Sequence, residues 1–385
     1  MTRVLVAGAG PVGLTAALAL ARRGVQVTVL EEGAALARES RASTFHPPTL
    51  EMLADLGVLD ELMERGLVSR TFQYRDRRGG VIAELDLSVL DGDTPYPFRV
   101  QCEQSKLTPI LRYHLTALGG EVRFRSPVRD VLSREGGVVA LTGDGQRHHG
   151  DWLIGADGAH SRVRRALGVA FEGITYPERF LVASTREDLD RLMPGIAAVN
   201  YVFDPEEWLV LLRTPDHWRV LLPTPEDTPD EDELARLPDR LRGVVDKDWD
   251  VAHASLYRVH QRVAATYRSG RVLLAGDAAH VNNPLGGMGM NSGIHDAVQF
   301  AAALADVHDG GGDGGLDLVA GVRRDVALSY VQQVSHANWE RLRSADPARH
   351  HAELRALAAD PGRCREHLLR TSMIASLRDS APSVP

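Results

Sequence analysis

The sequence predicts an α/β protein: a Rossmann-like domain of parallel strands and covering helices, with an inserted β-sheet domain and a helical C-terminal tail. Three observations predict it. A strand, a glycine-rich turn, a helix and a second strand follow one another within residues 3–30. Two more buried runs, at 151–154 and 271–275, each lead into a glycine-rich turn and then a helix. Two zones of short alternating runs, 71–100 and 180–260, interrupt these pieces.

Residues 3–7 are a β-branched apolar run that stops at Gly8. Residues 12–22, rich in Ala and Leu and closed by Gly24, read as a helix, and 25–30 as a second strand. Strand, helix and strand in this order imply a parallel sheet, because parallel neighbours need a long crossover. Residues 48–64 read as one helix, opened by Pro47-Pro48 and stopped at Gly66. Residues 104–118 are helical, and 121–154 hold short strands with turns at Gly136-Gly137 and at Gly143 to Gly145. In the second β zone the strands are 197–203, 208–213, 217–222 and 250–258, interrupted by an acidic, Pro-rich loop and short helix at 223–239. A helix at 291–309 ends in a glycine-rich loop, and 318–378 are helical with breaks at Pro347 and Pro361.

Composition bounds the function. The 385 residues are 44% hydrophobic and 25% charged, which excludes wholesale disorder. A net charge of −8 gives no footprint for nucleic acid or an anionic membrane. Two cysteines, Cys102 and Cys364, exclude a disulfide scaffold and a four-thiolate zinc site. Neither H-E-x-x-H nor paired Cys/His spacing occurs, so no metal is expected. No apolar run approaches the roughly 18–20 residues of a membrane span, and the first strand starts too early for a signal peptide. The expectation is a cytoplasmic protein; its oligomeric state is not legible. Only two of the 44 basic residues are lysine, Lys106 and Lys247, so a Schiff-base or general-base lysine has two candidates.

Gly8-Ala-Gly10-Pro11-Val12-Gly13 is G-x-G-x-x-G between a strand and a helix. The first glycine permits the tight turn, the second a close backbone approach to a pyrophosphate, the third helix-on-strand packing. The helix N-terminus favours phosphate charge. Glu31, with Glu32 beside it, closes the second strand 23 residues after Gly8, the distance at which a carboxylate reaches a ribose hydroxyl. An acid there favours an unphosphorylated adenosine ribose, hence FAD or NAD.

Two further motifs choose between them. Residues 155–165 contain Asp157-Gly158, followed by Arg162, Arg164 and Arg165. Residues 275–297 contain Gly276-Asp277, then Asn283-Pro284-Leu-Gly286-Gly287-Met-Gly289-Met290-Asn291. In order and spacing the three segments resemble the G-x-G-x-x-G, D-G and G-D fingerprints of the single-component FAD-dependent aromatic hydroxylases, the para-hydroxybenzoate hydroxylase family. The resemblance covers about residues 1–345. It implies a discontinuous FAD domain (1–70, 100–178 and 266–345), a substrate-binding sheet domain (71–99 and 179–265) and a helical tail (346–385). It also implies FAD as cofactor, NAD(P)H as a visiting co-substrate, and O2 with a small aromatic molecule as reactants.

Under that resemblance Asp277 meets the ribityl hydroxyls; alternatively it caps a helix. Gly286, Gly287 and Gly289 let the backbone lie against the isoalloxazine. The amides of Met290 and Asn291, at the helix start, face the flavin C2 carbonyl and stabilise negative charge there. Arg41 matches a pyrophosphate-reaching arginine, Gln104 a glutamine near the ribityl chain, and Asp157 the D-G aspartate; surface charge, capping and a turn are their plainer readings. Arg162, Arg164 and Arg165 either attract NAD(P)H or form a solvated helix face.

The implied reaction is reduction of FAD by NAD(P)H, then formation of a C4a-hydroperoxyflavin that hydroxylates a phenolic or polyketide-like aromatic. Phenols react faster as phenolates, so a base or relay is expected; none is named. Asn283 and Pro284 replace a common Pro-Pro pair, and Asn283 either contacts substrate or stabilises its loop. Tyr201, Trp208, Arg213, His217 and Arg219 are the substrate-side candidates. Trp218, Val220 and Leu222 share one strand face, Arg219 and Leu221 the other. An inward arginine suggests an anionic substrate. A flavin reductase or dehydrogenase of the same fold and a non-catalytic FAD-bound sequestering protein are the alternatives. The halogenases of this fold carry a W-x-W-x-I-P signature that is absent.

Overall fold

A computed structural model describes residues 2–38, 42–344 and 347–378. Its first sheet has six strands in the order Arg268–Ser269, Val272–Leu274, Trp152–Gly155, Arg3–Ala7, Gln26–Leu30 and Glu121–Arg123. Only the first pair is antiparallel. Helix Pro11–Ala21 is apolar almost all round, with eight consecutive buried residues from Gly13 to Leu20, as a helix must be when sheet and other helices cover it. Helix Met288–His308 packs along it, and both join the sheet in one core cluster with Leu14, Leu18, Ile154, Leu273 and Phe300.

The second sheet has eight strands. It takes Thr71–Asp76 and Gly80–Asp86 from the first β zone and five strands wholly or partly from the second: Phe171–Thr185, Val199–Phe203, Leu209–Arg213, Trp218–Pro225 and Val251–Ala264. It ends on His280–Val281. Strand Phe171–Thr185 runs across residue 178, so the sheet is continuous with the chain leaving the D-G turn. One face carries Leu181, Leu209, Leu211, Trp218, Val220 and Leu222 and is covered by helix Asp230–Arg242 through Leu237 and Leu241. The other face carries Phe72, Tyr74, Phe180, Tyr201, Val210 and Leu221. Strand alternation produces this split: successive side chains point to opposite faces.

Two expected elements differ. The 48–64 helix is two helices, Pro47–Asp55 and Leu59–Arg65, because Gly57 turns with φ +66° between them. The helix expected at 291–309 begins at Met288, because Gly287 adopts φ +66° and Gly286 φ +110°, turning the chain into it early. The prolines that mark breaks in the tail open helices, Pro347–Ala359 and Pro361–Thr371. In the second, Asp360 caps the first turn by accepting from the Arg363 amide at 3.1 Å. This tail folds back onto the aromatic face of the second sheet, where Leu354, Cys364, Leu368 and Ile374 join Tyr74 and Tyr201 in one cluster.

Candidate active site

The sheet register sets the three motifs side by side. Ala7 pairs with Gly155 on one flank and Leu30 on the other, and Gly155 pairs with Leu274. Gly8, Glu31, the Asp157 turn and the Gly276-Asp277 turn therefore leave the carboxyl edge of the sheet in one row, where open α/β sheets bind ligands.

The glycines divide by what surrounds them. A Cβ on Gly8 (φ +100°) would lie 2.5 Å from the Ala156 carbonyl oxygen, and one on Gly13 2.0 Å from the Gly8 oxygen. These two serve packing between motifs. A Cβ on Gly10 would meet nothing within 4 Å, so the backbone there is bare on the side open to a ligand. Pro11 is the first residue of the helix, and no acidic side chain occupies its first turn. A Cβ on Gly276 or Gly293 would strike the Val12 side chain at 2.9 and 2.6 Å, so Val12 is the contact between the first and third motifs. Glu31 accepts from the Ala9 amide at 2.7 Å and the Gly33 amide at 2.8 Å, which fixes its carboxylate at the turn. A cleft of about 260 Å³ opens here, lined by Gly8, Glu31, Glu32, Arg129, Asp157 and Arg162 among others. Glu32 is paired with Arg129 at 3.3 Å.

Asp157 spends its oxygens locally. It accepts from Ser161 Oγ at 2.5 Å and from the amides of Arg162 and Val163 at 2.7 and 3.1 Å, capping the short helix Arg162–Ala166. Arg164 departs from the expected surface charge. It is buried, donates to the carbonyls of Ala278 and Ala159 at 2.8 and 3.0 Å, and lies 3.7 Å from the Phe171 ring centroid. It ties the second motif to the third, which leaves Arg162 and Arg165 as the exposed charges of the set lining the cleft.

Asp277 is exposed in the turn Gly276–Ala278. After it, Asn283 is fully buried; its Oδ1 accepts from the Leu285 amide at 3.1 Å and its Nδ2 has no acceptor. Pro284 is half-buried, and its carbonyl accepts from the Gly287 amide at 3.0 Å. Because the helix starts at Met288, the backbone amides of Met288, Gly289 and Met290 are those without an intrahelical acceptor. Asn291 is one residue past that set and acts through its side chain. It accepts from the His46 amide at 2.9 Å and donates to the carbonyls of Thr44 and Gly287 at 2.8 and 2.6 Å. His46 completes the clamp with Nε2 2.8 Å from the Gly286 oxygen. Burial and the nearby Arg99 cation hold its pKa well below the ordinary value, so the ring is neutral and donates. Gln104, half-buried, opens its helix with its amide on the Ala42 carbonyl at 3.1 Å. Arg41 lies outside the described residues.

Beneath the Gly276 turn is a network the motifs did not announce. Asp296, fully buried, accepts from the Gly276 amide (3.1 Å), faces His280 Nε2 (2.8 Å) and accepts from Arg323 Nε (2.7 Å). Burial raises its pKa, but His280 and Arg323 overcome this and hold the carboxyl at about 2. The signal available in the sequence was an acid at helical spacing inside an apolar helix, 27 residues before its arginine.

On the substrate side, Tyr201 is buried with its ring stacked on Tyr74 (centroids 5.5 Å) and edge-on to Phe72 (6.3 Å). Its hydroxyl adjoins Arg99 and the Gly286 amide, and burial raises its pKa to about 12. Arg219 and Leu221 do share a face, opposite Trp218, Val220 and Leu222, but Arg219 faces the Glu103 carboxylate and Tyr257. Arg213 is a correction. It lies over Trp218 on the opposite face, 3.8 Å from Asp190, because strand alternation turns it away from Tyr201. His217 sits in the turn before its strand, its backbone joined to Thr214. Trp208 is core, edge-on to Phe180 at 5.5 Å. Both lysines are committed to ion pairs, Lys106 with Glu103 and Asp216, Lys247 with Glu187. Sequence reasoning missed Arg99, which is 3% exposed and lies 4.4 Å from the Phe72 centroid.

A fold organised around three nucleotide-binding turns, with an aromatic sheet face meeting the third, defines a flavoprotein oxidoreductase. The family profile described as "FAD binding domain" matches residues 1–334. Para-nitrophenol 4-monooxygenase of a Pseudomonas species is 35% identical, over 90% of this chain and 88% of that protein. The 6-hydroxy-3-succinoylpyridine 3-monooxygenase of Pseudomonas putida is 38% identical over 90% of each. The crystal structure of p-nitrophenol 4-monooxygenase from Pseudomonas putida superimposes with a TM-score of 0.91 at 34% identity, covering 96% of this chain and 98% of that one. The chain belongs to the single-component FAD-dependent aromatic hydroxylases; it is an FAD-dependent monooxygenase, for which NAD(P)H is the family's usual reductant. Among the described residues no helix is long and apolar enough to cross a membrane.

Proposed function

We propose that this enzyme hydroxylates a single-ring phenol or hydroxylated heteroaromatic in the cytoplasm, using O2 and NAD(P)H. The observation that carries the reading is the closed aromatic face. Phe72, Tyr74 and Tyr201 line it, Tyr201 reaches the Gly286 loop, and the chain's own tail covers it. Two relatives matched over 90% of this chain act, by their names, on para-nitrophenol and 6-hydroxy-3-succinoylpyridine, both single-ring compounds. The free, buried cysteines suit a reducing compartment.

The residues present fit FAD. The bare backbone at Gly10 and the amides opening helix Pro11–Ala21 would hold the pyrophosphate. Glu31 would hold the adenosine ribose, with Glu32 and Asp157 at the rim of the same cleft. Asp277, Gln104 and Arg41 would hold the ribityl and phosphate chain. Gly286, Gly287 and Gly289 would let the ring approach, and the amides up to Met290 would face it, with Asn291 holding those turns in place. When bound, FAD supplies hydride acceptance and activation of O2. The chain's own residues do the rest. The His46 and Asn291 clamp fixes the Gly286-Gly287 backbone, and the aromatic face and tail exclude water around the substrate. Asn283 and Pro284 lead from the third turn to Leu285, which joins the aromatic cluster.

The test is a panel of single-ring phenols and hydroxypyridines with purified, yellow holoenzyme, read by product mass. A gain of one oxygen with matching O2 consumption is the expected result. Equal turnover without O2 would instead identify a reductase, and binding without turnover a sequestering protein.

A further inference from the structure

We propose that Arg99, together with the Tyr201 hydroxyl, is the receptor for the oxyanion of an ionised phenol. The inference rests on the substrate class proposed above and names the group that selects it.

Two other buried arginines nearby are answered: Arg323 is paired with Asp296, and Arg164 donates to two carbonyls. Arg219, half-buried, lies in the field of the Glu103 carboxylate. Arg99 has no ion pair among the described residues, and its Nε has no acceptor. The groups that face it are known from each element packed against its strand. The strand Thr44–Phe45 leads into His46; Leu67–Ser69 sets Ser69 opposite Arg99; Thr71–Asp76 gives Phe72 and Tyr74; Val199–Phe203 gives Tyr201; tail helix Pro361–Thr371 gives His367. Arg341, on helix Gln332–Leu342, faces Tyr201 and His367. None of these is an anion. His46 and His367 are both held neutral by burial and by the arginines, His367 down to about 4. Each has one ring nitrogen that is buried without a partner, His46 Nδ1 and His367 Nε2, and Gln101 Nε2, two residues along the strand from Arg99, is likewise unpartnered.

A buried cation without a counter-charge is expensive and persists where a ligand supplies the charge. The surroundings specify that ligand. Rings at Phe72, Tyr74 and Tyr201 suit an aromatic body, and a guanidinium beside a phenol hydroxyl suits an oxyanion. The location suits it too, since Tyr201 adjoins the Gly286 amide that leads into the proposed flavin edge. No bond to carbon changes on binding: the phenol O–H proton passes to solvent, and the phenolate oxygen accepts from Arg99 and Tyr201. The receptor thereby lowers the ligand's own pKa and delivers it in its electron-rich form.

The experiment uses oxidised holoenzyme with a panel of phenols, 4-nitrophenol among them, each paired with its methyl ether, which cannot ionise. Binding is read by flavin spectral change, and nitrophenol ionisation by its visible absorbance. Phenols are expected to bind at least about tenfold tighter than their ethers, and 4-nitrophenol to be held ionised at a pH where the free compound is protonated. Arg99→Met is expected to abolish that preference while leaving flavin content unchanged and Tm equal or higher, because it removes an uncompensated charge. Arg99→Lys, which keeps the charge without the fork, restores part of the preference. A merely structural arginine would lower Tm when replaced. Tyr201→Phe, which removes only the hydroxyl, weakens the preference and remains informative if Arg99→Met does not fold. A holoenzyme that binds phenols and ethers alike, or binds neither, overturns the proposal. So does an Arg99→Met enzyme that keeps the preference or loses it only together with its fold. A substrate that gains oxygen in either case leaves the monooxygenase reading standing and removes this inference alone.

Discussion

Asp296→Asn removes one negative charge and almost no volume from the centre of the network under the cofactor turn. Asp296 and Arg323 are both 0% exposed in their side chains, and the pair is 2.7 Å apart. The substitution leaves the guanidinium buried without a counter-charge, a change that costs about 3–5 kcal/mol in comparable pairs. At roughly 2 °C per kcal/mol for a chain of this size, Tm should fall by about 6–10 °C. Because Asp296 also accepts from the Gly276 amide, flavin occupancy should fall with it. The assay is thermal unfolding followed by flavin fluorescence, with the flavin-to-protein ratio measured on the same samples. Adding Arg323→Met should recover at least half of the lost stability, since the cost lies in the stranded charge. A single variant within about 1 kcal/mol of the parent, or a double variant no better than the single, would refute the reasoning.

The same carboxyl predicts acid behaviour: it titrates at about 2 in the folded protein against an ordinary 3.8, so its roughly 2 kcal/mol is present above about pH 4 and lost as the pH falls towards 2. Stability measured across that range should lose this component in the parent and not in Asp296→Asn. Gly10→Ala and Gly13→Ala should separate cofactor binding from folding. The first has open space and should fold normally yet bind FAD poorly, whereas the second meets the Gly8 oxygen at 2.0 Å and should lose stability and flavin together. Asp277→Ala should weaken FAD retention, and unchanged flavin content would count against its proposed role. Asp93 holds the tail through Arg365 at 2.6 Å and Arg378 at 2.9 Å. Burial pushes its pKa up, but hydrogen bonds from these two arginines leave it below the ordinary value. Asp93→Asn, or acid that protonates it, should therefore expose the tail to limited proteolysis; equal cleavage rates would refute the clasp.

The glycine-rich turns were legible because their signals are local. Gly8 to Gly13 and Gly276 to Asn291 state their turn geometry within a few residues, since a positive φ or a close backbone approach selects glycine on the spot. Strand alternation around Arg219 and Leu221 was legible for the same reason. The errors arose where locality ended. Helix Met288–His308 starts early because Gly286 and Gly287 turn the chain against Thr44, a contact across more than 240 residues. Arg164 read as a surface charge because nothing near it announces the Ala278 carbonyl it serves. Arg213 read as a pocket residue because sequence spacing does not say which face of its strand is inward.

By itself the sequence determined the class of cofactor, the order of the three nucleotide-binding turns, the β-rich insertions and the helical tail. Each follows from residue type and period along a short stretch of chain. Only the tertiary structure decided what meets at the aromatic sheet face. Arg99, Tyr201 and His367 come from three elements separated by about a hundred residues or more, and no local period relates them. Whether a buried charge is answered depends on the surrounding elements: Arg323 meets Asp296, while Arg99 meets rings and neutral imidazoles.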